Sequence, residues 1–141
     1  DECRKRWPFE NQDINSIFPG NPRGTTAERI AYALYESIAE AQICIDVHSG
    51  ASHVRELPQA RTPMTGIELE YARDMGMPVI WRRSGEHLNV KGLVGVCRAR
   101  GQASFRITGG RGTTLDSSLS TKMADGLSLL LAKRAAKRTW N

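Results

Sequence analysis

The stretch IDVHSG, Ile45 to Gly50, places a carboxylate and an imidazole two residues apart, at Asp46 and His48. In an extended strand that spacing puts both side chains, and Cys44, on one face. A neutral imidazole at a strand end suits a divalent metal such as zinc, and a carboxylate beside it can fix the ring by hydrogen bonding. The same residues also have a plainer reading, as a hydrogen-bonded core histidine and a carboxylate satisfied by backbone amides. Five residues on, HVRE sets His53 and Glu56 three apart. With His48 they would make a local metal site, but spacing alone is weak support for one. The three cysteines, Cys3, Cys44 and Cys97, form no CxxC pair. Their odd number and wide spacing indicate neither a disulfide framework nor a cysteine zinc site, and point to a reducing, cytoplasmic setting.

The elements that must position these groups follow from pattern. Asp1 to Gly24 is rich in Pro, Gly and Asn and reads as a structured loop. TTAE at Thr25 to Glu28 is a capping box, so a helix should run to Glu40, with Ile30, Leu34 and Ile38 beside Ala27 and Ala31 as its core stripe. Ile43 to Val47 reads as a buried strand that ends at Ser49 and Gly50, the end at which open α/β sheets place their sites. Gly50 to Thr65, with Pro58 and Pro63, reads as a loop. A short helix is expected over Gly66 to Met75, a strand over Pro78 to Trp81 and a helix over Lys91 to Arg100. A third strand, Ala103 to Thr108, should lead into a turn at Gly109 to Gly112. Ser117 should then cap a last helix whose apolar face is Leu119, Met123, Leu127 and Leu130. Helices alternating with strands predict a three-layer α/β sandwich with a mostly parallel or mixed sheet.

With 141 residues, 40% apolar and 25% charged, the chain is the size of one globular domain, 1–141, with a basic helical tail at 133–141. Of the net +5, the tail residues Lys133, Arg134, Lys137 and Arg138 supply four charges. No basic stripe interleaved with aromatics, zinc finger or recognition-helix motif accompanies them, so no nucleic-acid partner is expected. No apolar run approaches the roughly 20 residues of a membrane span, so no membrane partner is expected either. The start, DECRKRW, lacks Met and a signal-type apolar core, and reads as that of a fragment or a processed chain.

Taken in order, DINSIFPG at Asp13–Gly20, ERIA at Glu28–Ala31, IDVHSG at Ile45–Gly50 and GGRGTTLDSSL at Gly109–Leu119 resemble the succinylglutamate desuccinylase and aspartoacylase family. These are zinc carboxypeptidase-like deacylases with DLNRxFPG and DLHSG motifs. The resemblance implies a partial domain of that fold, zinc as cofactor and a small acyl amino acid or carboxylate as substrate. It implies that His48 is a zinc ligand, that Asp46 orients the site by hydrogen bonding and that Asn15 binds the substrate carboxylate. Arg6, in the cluster with Arg4 and Lys5, would polarise the scissile carbonyl; without the resemblance that cluster is a solvated charged end.

Three features depart from the family pattern. Ser16 stands where the family has Arg, and a hydroxyl cannot replace a bidentate guanidinium. The family's other two zinc ligands, an HxxE pair N-terminal to the DLNR segment, have no counterpart here, which implies an N-terminally truncated member. The general-base Glu expected before the GG turn is replaced by Ile107 or Thr108, neither of which can take a proton from water. The expected function is therefore zinc-dependent hydrolysis of the amide bond in N-acyl amino acids. The alternative is a catalytically inactive relative that binds a small carboxylate or a partner protein.

Overall fold

The computed structural model of the chain describes residues 12–84 and 91–138. After a short 3₁₀ turn at Ile14–Ser16 the elements are α1 (Thr26–Ser37), β1 (Ile43–Ser49), β2 (Glu56–Pro63), α2 (Ile67–Asp74), β3 (Val79–Arg83), α3 (Leu93–Ala99), β4 (Ala103–Gly110) and α4 (Ser117–Arg138). The strands stand in the order β1-β4-β2-β3. β2 is parallel to β3 and antiparallel to β4. The Ala103 amide donates to the Gln42 carbonyl and the Gly50 amide to the Gly109 carbonyl, so residue numbers rise together along β1 and β4 and that pair is parallel. The result is a mixed sheet in an α/β fold, the class expected from the alternation of elements.

β2 is the main departure from the sequence reading, which made this segment a loop because of Pro58 and Pro63. Both prolines sit where a sheet tolerates them. Pro58 falls inside the register shift between Glu56 and Gln59 against β4, and Pro63 is the last residue of the strand, opposite Arg83. β4 likewise runs two residues past the expected Thr108, to Gly110, and α1 stops at Ser37 rather than Glu40. Val47, read as part of a buried strand, is 57% exposed, because β1 stands at one end of the strand order.

The chain divides into two compact units, Asp1–Asp46 with Glu86–Ser104, and Val47–Gly85 with Phe105–Asn141. In the first, the capping box forms as read: the Glu28 amide donates to Thr25 Oγ1 at 3.3 Å and the Thr25 amide to Glu28 Oε2 at 2.8 Å. The buried side of α1 is not the Ile30–Leu34–Ile38 stripe, however. Ala27 and Ala31 are buried while Leu34 is half exposed, because small residues let the Phe18 ring and Val96 close directly onto the helix. Burying a ring of that size contributes about 2–3 kcal/mol. Ile14, Ile17, Tyr35 and Leu93 pack around this core.

Two groups of polar contacts complete the unit. Arg100 lies over the Tyr35 ring, 3.5 Å from its centroid, and pairs with Glu36 at 2.6 Å. Asp13 Oδ1 accepts from the Asn15 amide at 2.9 Å, and Asn15 Oδ1 in turn accepts from the Leu93 amide at 3.0 Å, at the first residue of α3. Cys44 and Cys97 are buried and free, and their side chains are hydrogen-bonded to each other. Burial, with the neighbouring Cys97 and the charge of Asp46 adding to it, pushes the Cys44 thiol up to about 12. Burial raises Cys97 as well.

In the second unit the expected α4 face is buried at Leu119, Met123 and Leu130, along with Ala60, Tyr71, Ala72, Met75, Phe105 and Ile107. Lys133 of α4 reaches the Asp74 carboxylate at the end of α2, at 3.1 Å. Among the described residues no helix is long and apolar enough to cross a membrane.

Two outcomes follow from the first unit. Asn15→Ala should lower stability by about 1 kcal/mol, the usual cost of losing a helix-terminal acceptor, whereas Asn15→Asp keeps the acceptor and should stay near wild type in urea unfolding. Because the thiolate is the reactive form, Cys44 and Cys97 should resist iodoacetamide at pH 8 in the native chain and label fully in guanidinium, as mapped by mass spectrometry.

Candidate functional site

The site is built at the C-terminal ends of β1 and β4, within the second unit. Past β1 the Gly50 amide bonds the Gly109 carbonyl at 3.0 Å, and the Gly112 amide bonds the Ala51 carbonyl at 3.3 Å. These backbones meet with no side chain between them: a Cβ on Gly50 would run into the Gly110 carbonyl, and one on Gly112 would lie 2.8 Å from the Gly50 carbonyl. Gly110 itself turns at φ +73°, a conformation that L side chains rarely adopt. The Ala51 amide is held by Glu56 Oε1 at 3.3 Å.

Against this crossing lies an open cavity of about 350 Å³. β1 contributes Val47, His48 and Ser49, and the end of β4 contributes Gly109, Gly110 and then Arg111. Leu119, Met123 and Leu127 of α4 form an apolar wall, and Asp116 stands at the head of that helix. Asp116, not Ser117, is the cap of α4. Its carboxylate accepts from the Leu119 amide at 3.2 Å and its carbonyl from the Ser120 amide at 2.9 Å. Arg55 donates to the same carboxylate through Nη2 at 2.6 Å and Nε at 3.2 Å. Arg55, the Leu119 amide and the Ser118 hydroxyl together hold the Asp116 carboxyl down at about 2.

The residues singled out in the sequence fare differently. His48 is half-buried and lines the cavity. Asp46 is half-buried in the first unit, where its charge acts on the two buried thiols. Asn15 also belongs to the first unit, with its side-chain oxygen committed to α3. Arg6 lies outside the described residues. The HVRE pair is not a metal pair: His53 is exposed, while Glu56 accepts from Arg61 and Gln59, both at 3.1 Å. Ile107 and Thr108, at the position expected to carry a base, are 0% and 3% exposed. Sequence reasoning missed Arg111 and the double role of Asp116. The signal for the second was present, since Asp116 stands directly before SSL at the start of an amphipathic run.

Residues 2–108 match the sequence model of the succinylglutamate desuccinylase/aspartoacylase catalytic domain. Among curated proteins no significant sequence match was found. Similar solved structures include the product-bound ectoine utilization protein EutE (DoeB) from Ruegeria pomeroyi, with a TM-score of 0.79 and 20% identity over 89% of this chain and 40% of that one. A succinylglutamate desuccinylase/aspartoacylase from Rhodobacter sphaeroides gives 0.77 and 22% over 90% and 39%. A succinylglutamate desuccinylase from Silicibacter sp. gives 0.80 and 18% over 91% and 41%. The fold is therefore that of the desuccinylase and aspartoacylase deacylases. The chain belongs to the succinylglutamate desuccinylase/aspartoacylase catalytic-domain family, and spans about 40% of the length of these solved structures.

A carboxyl depressed by native contacts adds stability above its unfolded pKa, about 3.9, and loses it as pH falls through the folded value. The Asp116 carboxyl should therefore titrate near 2 by carbon-detected NMR. Arg55→Ala should move it up toward the ordinary range, and Asp116→Asn should flatten the loss of stability between about pH 4 and 2.

Proposed function

We propose that the protein is a hydrolase of the amide bond in small N-acyl amino acids, and that this chain contributes the His48 wall of its substrate site. The observation that carries the reading is His48 itself: the one imidazole of the family's strand-end motif, half-buried on a cavity of about 350 Å³, in a chain whose family match runs from residue 2 to 108. A cavity of that size holds a small carboxylate. Arg111 at its rim offers a guanidinium fork to the carboxylate, and Leu119, Met123 and Leu127 offer an apolar surface to the acyl chain.

The family resemblance brings zinc with it, and the donor set can be weighed directly. A hydrolytic zinc takes three protein ligands and leaves one position for water. Among the described residues no group of three His, Cys, Asp or Glu side chains could hold a metal ion. Around the cavity His48 is the single imidazole, and Asp116 is committed to Arg55 and to the α4 amide. The described residues therefore do not by themselves fit the metal. What they do is bind and orient. In this reading His48 lines the substrate space, the Gly109–Gly110 backbone leaves room for close approach, and Arg111 fixes the carboxylate end. A carboxylate base is likewise missing at Ile107 and Thr108, and general-base catalysis is worth about 10² to 10⁴ in rate.

The purified chain should therefore bind N-acetyl and N-succinyl amino acids without hydrolysing them above background, even with zinc added. Titration of the ¹⁵N-labelled chain should move the resonances of His48, Gly110 and Arg111. Arg111→Ala should weaken binding about tenfold, the equivalent of about 1.4 kcal/mol. Zinc-dependent turnover that disappears in His48→Ala would show that further ligands and a base are present. Absence of any shift at these residues would remove the substrate-site reading.

A further inference from the structure

At the far end of the strand order from β1, β3 is an edge strand among the described residues, paired on one side only, with β2. Such an edge is a row of backbone donors and acceptors open to another strand. The parallel register sets Trp81 opposite Arg61 and Val79 opposite Gln59. On that face Trp81 is 48% exposed, and Leu57 and Val79 are exposed as well. Two guanidiniums lie over the Trp81 ring, Arg61 at 5.2 Å and Arg83 at 5.1 Å from its centroid. Arg61 is already paired with Glu56 at 3.1 Å, whereas Arg82 and Arg83 have no carboxylate partner among the described residues.

This combination selects an occupant. The strand VIWRR carries two arginines and no acid, so a second copy would set its arginines beside these two if parallel, or beside Val79 and Ile80 if antiparallel about Trp81, and in neither case would it bring a carboxylate to them. Charged ends are also how natural edges avoid self-pairing. Single-stranded nucleic acid needs open aromatic faces on which bases can stack, and the Trp81 ring already carries guanidiniums. An extended segment with apolar side chains opposite Val79 and Trp81 and acidic ones opposite Arg82 and Arg83 meets every group. Its backbone completes the β3 ladder, its apolar side chains cover Val79 and Trp81, and its carboxylates reach Arg82 and Arg83.

We propose that the open edge of β3 docks an acidic, extended segment of a partner protein as an added strand, recognised through Trp81, Arg82 and Arg83. This surface is independent of the His48 cavity.

The test uses a fluorescein-labelled peptide of valines followed by glutamates, read by anisotropy with the whole chain and by amide shifts of the ¹⁵N-labelled chain. Saturable binding with shifts centred on Val79–Arg83 is expected. Trp81→Ala and Arg83→Glu should each weaken it about tenfold while leaving the circular dichroism spectrum and the acyl amino acid titration unchanged. Added salt should weaken it too, since the charges are exposed. Equal binding of a lysine–valine peptide, shifts located elsewhere, or no saturable binding would overturn the proposal. Tighter binding of oligothymidine at the same edge would overturn it in favour of a nucleic-acid surface.

Discussion

Where β1 leaves the sheet, two stretches of backbone approach more closely than any side chain would permit. Gly50 abuts Gly109 and Gly110, Gly112 folds back over Gly50, and the amide of Gly50 is spent on the carbonyl of Gly109. This crossing fixes the ends of β1 and β4 at the same level. It thereby sets His48 and Arg111 on one cavity, with α4 descending alongside. Replacing Gly50 by any larger residue would force the strands apart, because the obstructing atom is a backbone carbonyl that cannot rotate away. The chemistry of the site therefore rests on residues that have no chemistry of their own.

Around that point the polar groups are committed with little slack. Asp116 caps α4, pairs with Arg55 and borders the cavity at once, so its ionisation is coupled to the position of the helix as well as to the electrostatics of the site. Glu56 holds the Ala51 amide with one oxygen and receives Gln59 and Arg61 on the other. In the first unit Asn15 holds the start of α3. Each of these carboxylates and amides has a structural use that a motif match does not disclose. A buried polar group costs stability unless it is bonded, so such residues are retained for satisfaction as readily as for catalysis.

The family and its class of fold were legible in the chain itself. DINSIFPG, IDVHSG and the GG-containing turn occur in order, the capping box at Thr25 and Glu28 forms as written, and the Leu119–Met123–Leu130 face of α4 is buried. These signals are local, depending on spacing along one helix or strand, and local spacing survives in any tertiary context. The position of His48 near the end of a strand was legible for the same reason.

What tertiary structure decided was everything that depends on a partner distant in sequence. β2 exists because β3 and β4 flank it and leave Pro58 in a register shift and Pro63 at its end; seen alone, a segment with two prolines reads as a loop. The buried side of α1 became Ala27 and Ala31 because Phe18 and Val96 needed close approach, which leaves Leu34 toward solvent. Glu56 left the apparent HVRE metal pair because Arg61, Gln59 and the Ala51 amide reached it first. Sequence by itself determined which residues can form elements and which motif they carry, since those are properties of neighbours along the chain. The assignment of each polar group to a partner was decided only when non-local surfaces closed, because hydrogen-bond satisfaction in a folded protein is a property of the whole packing.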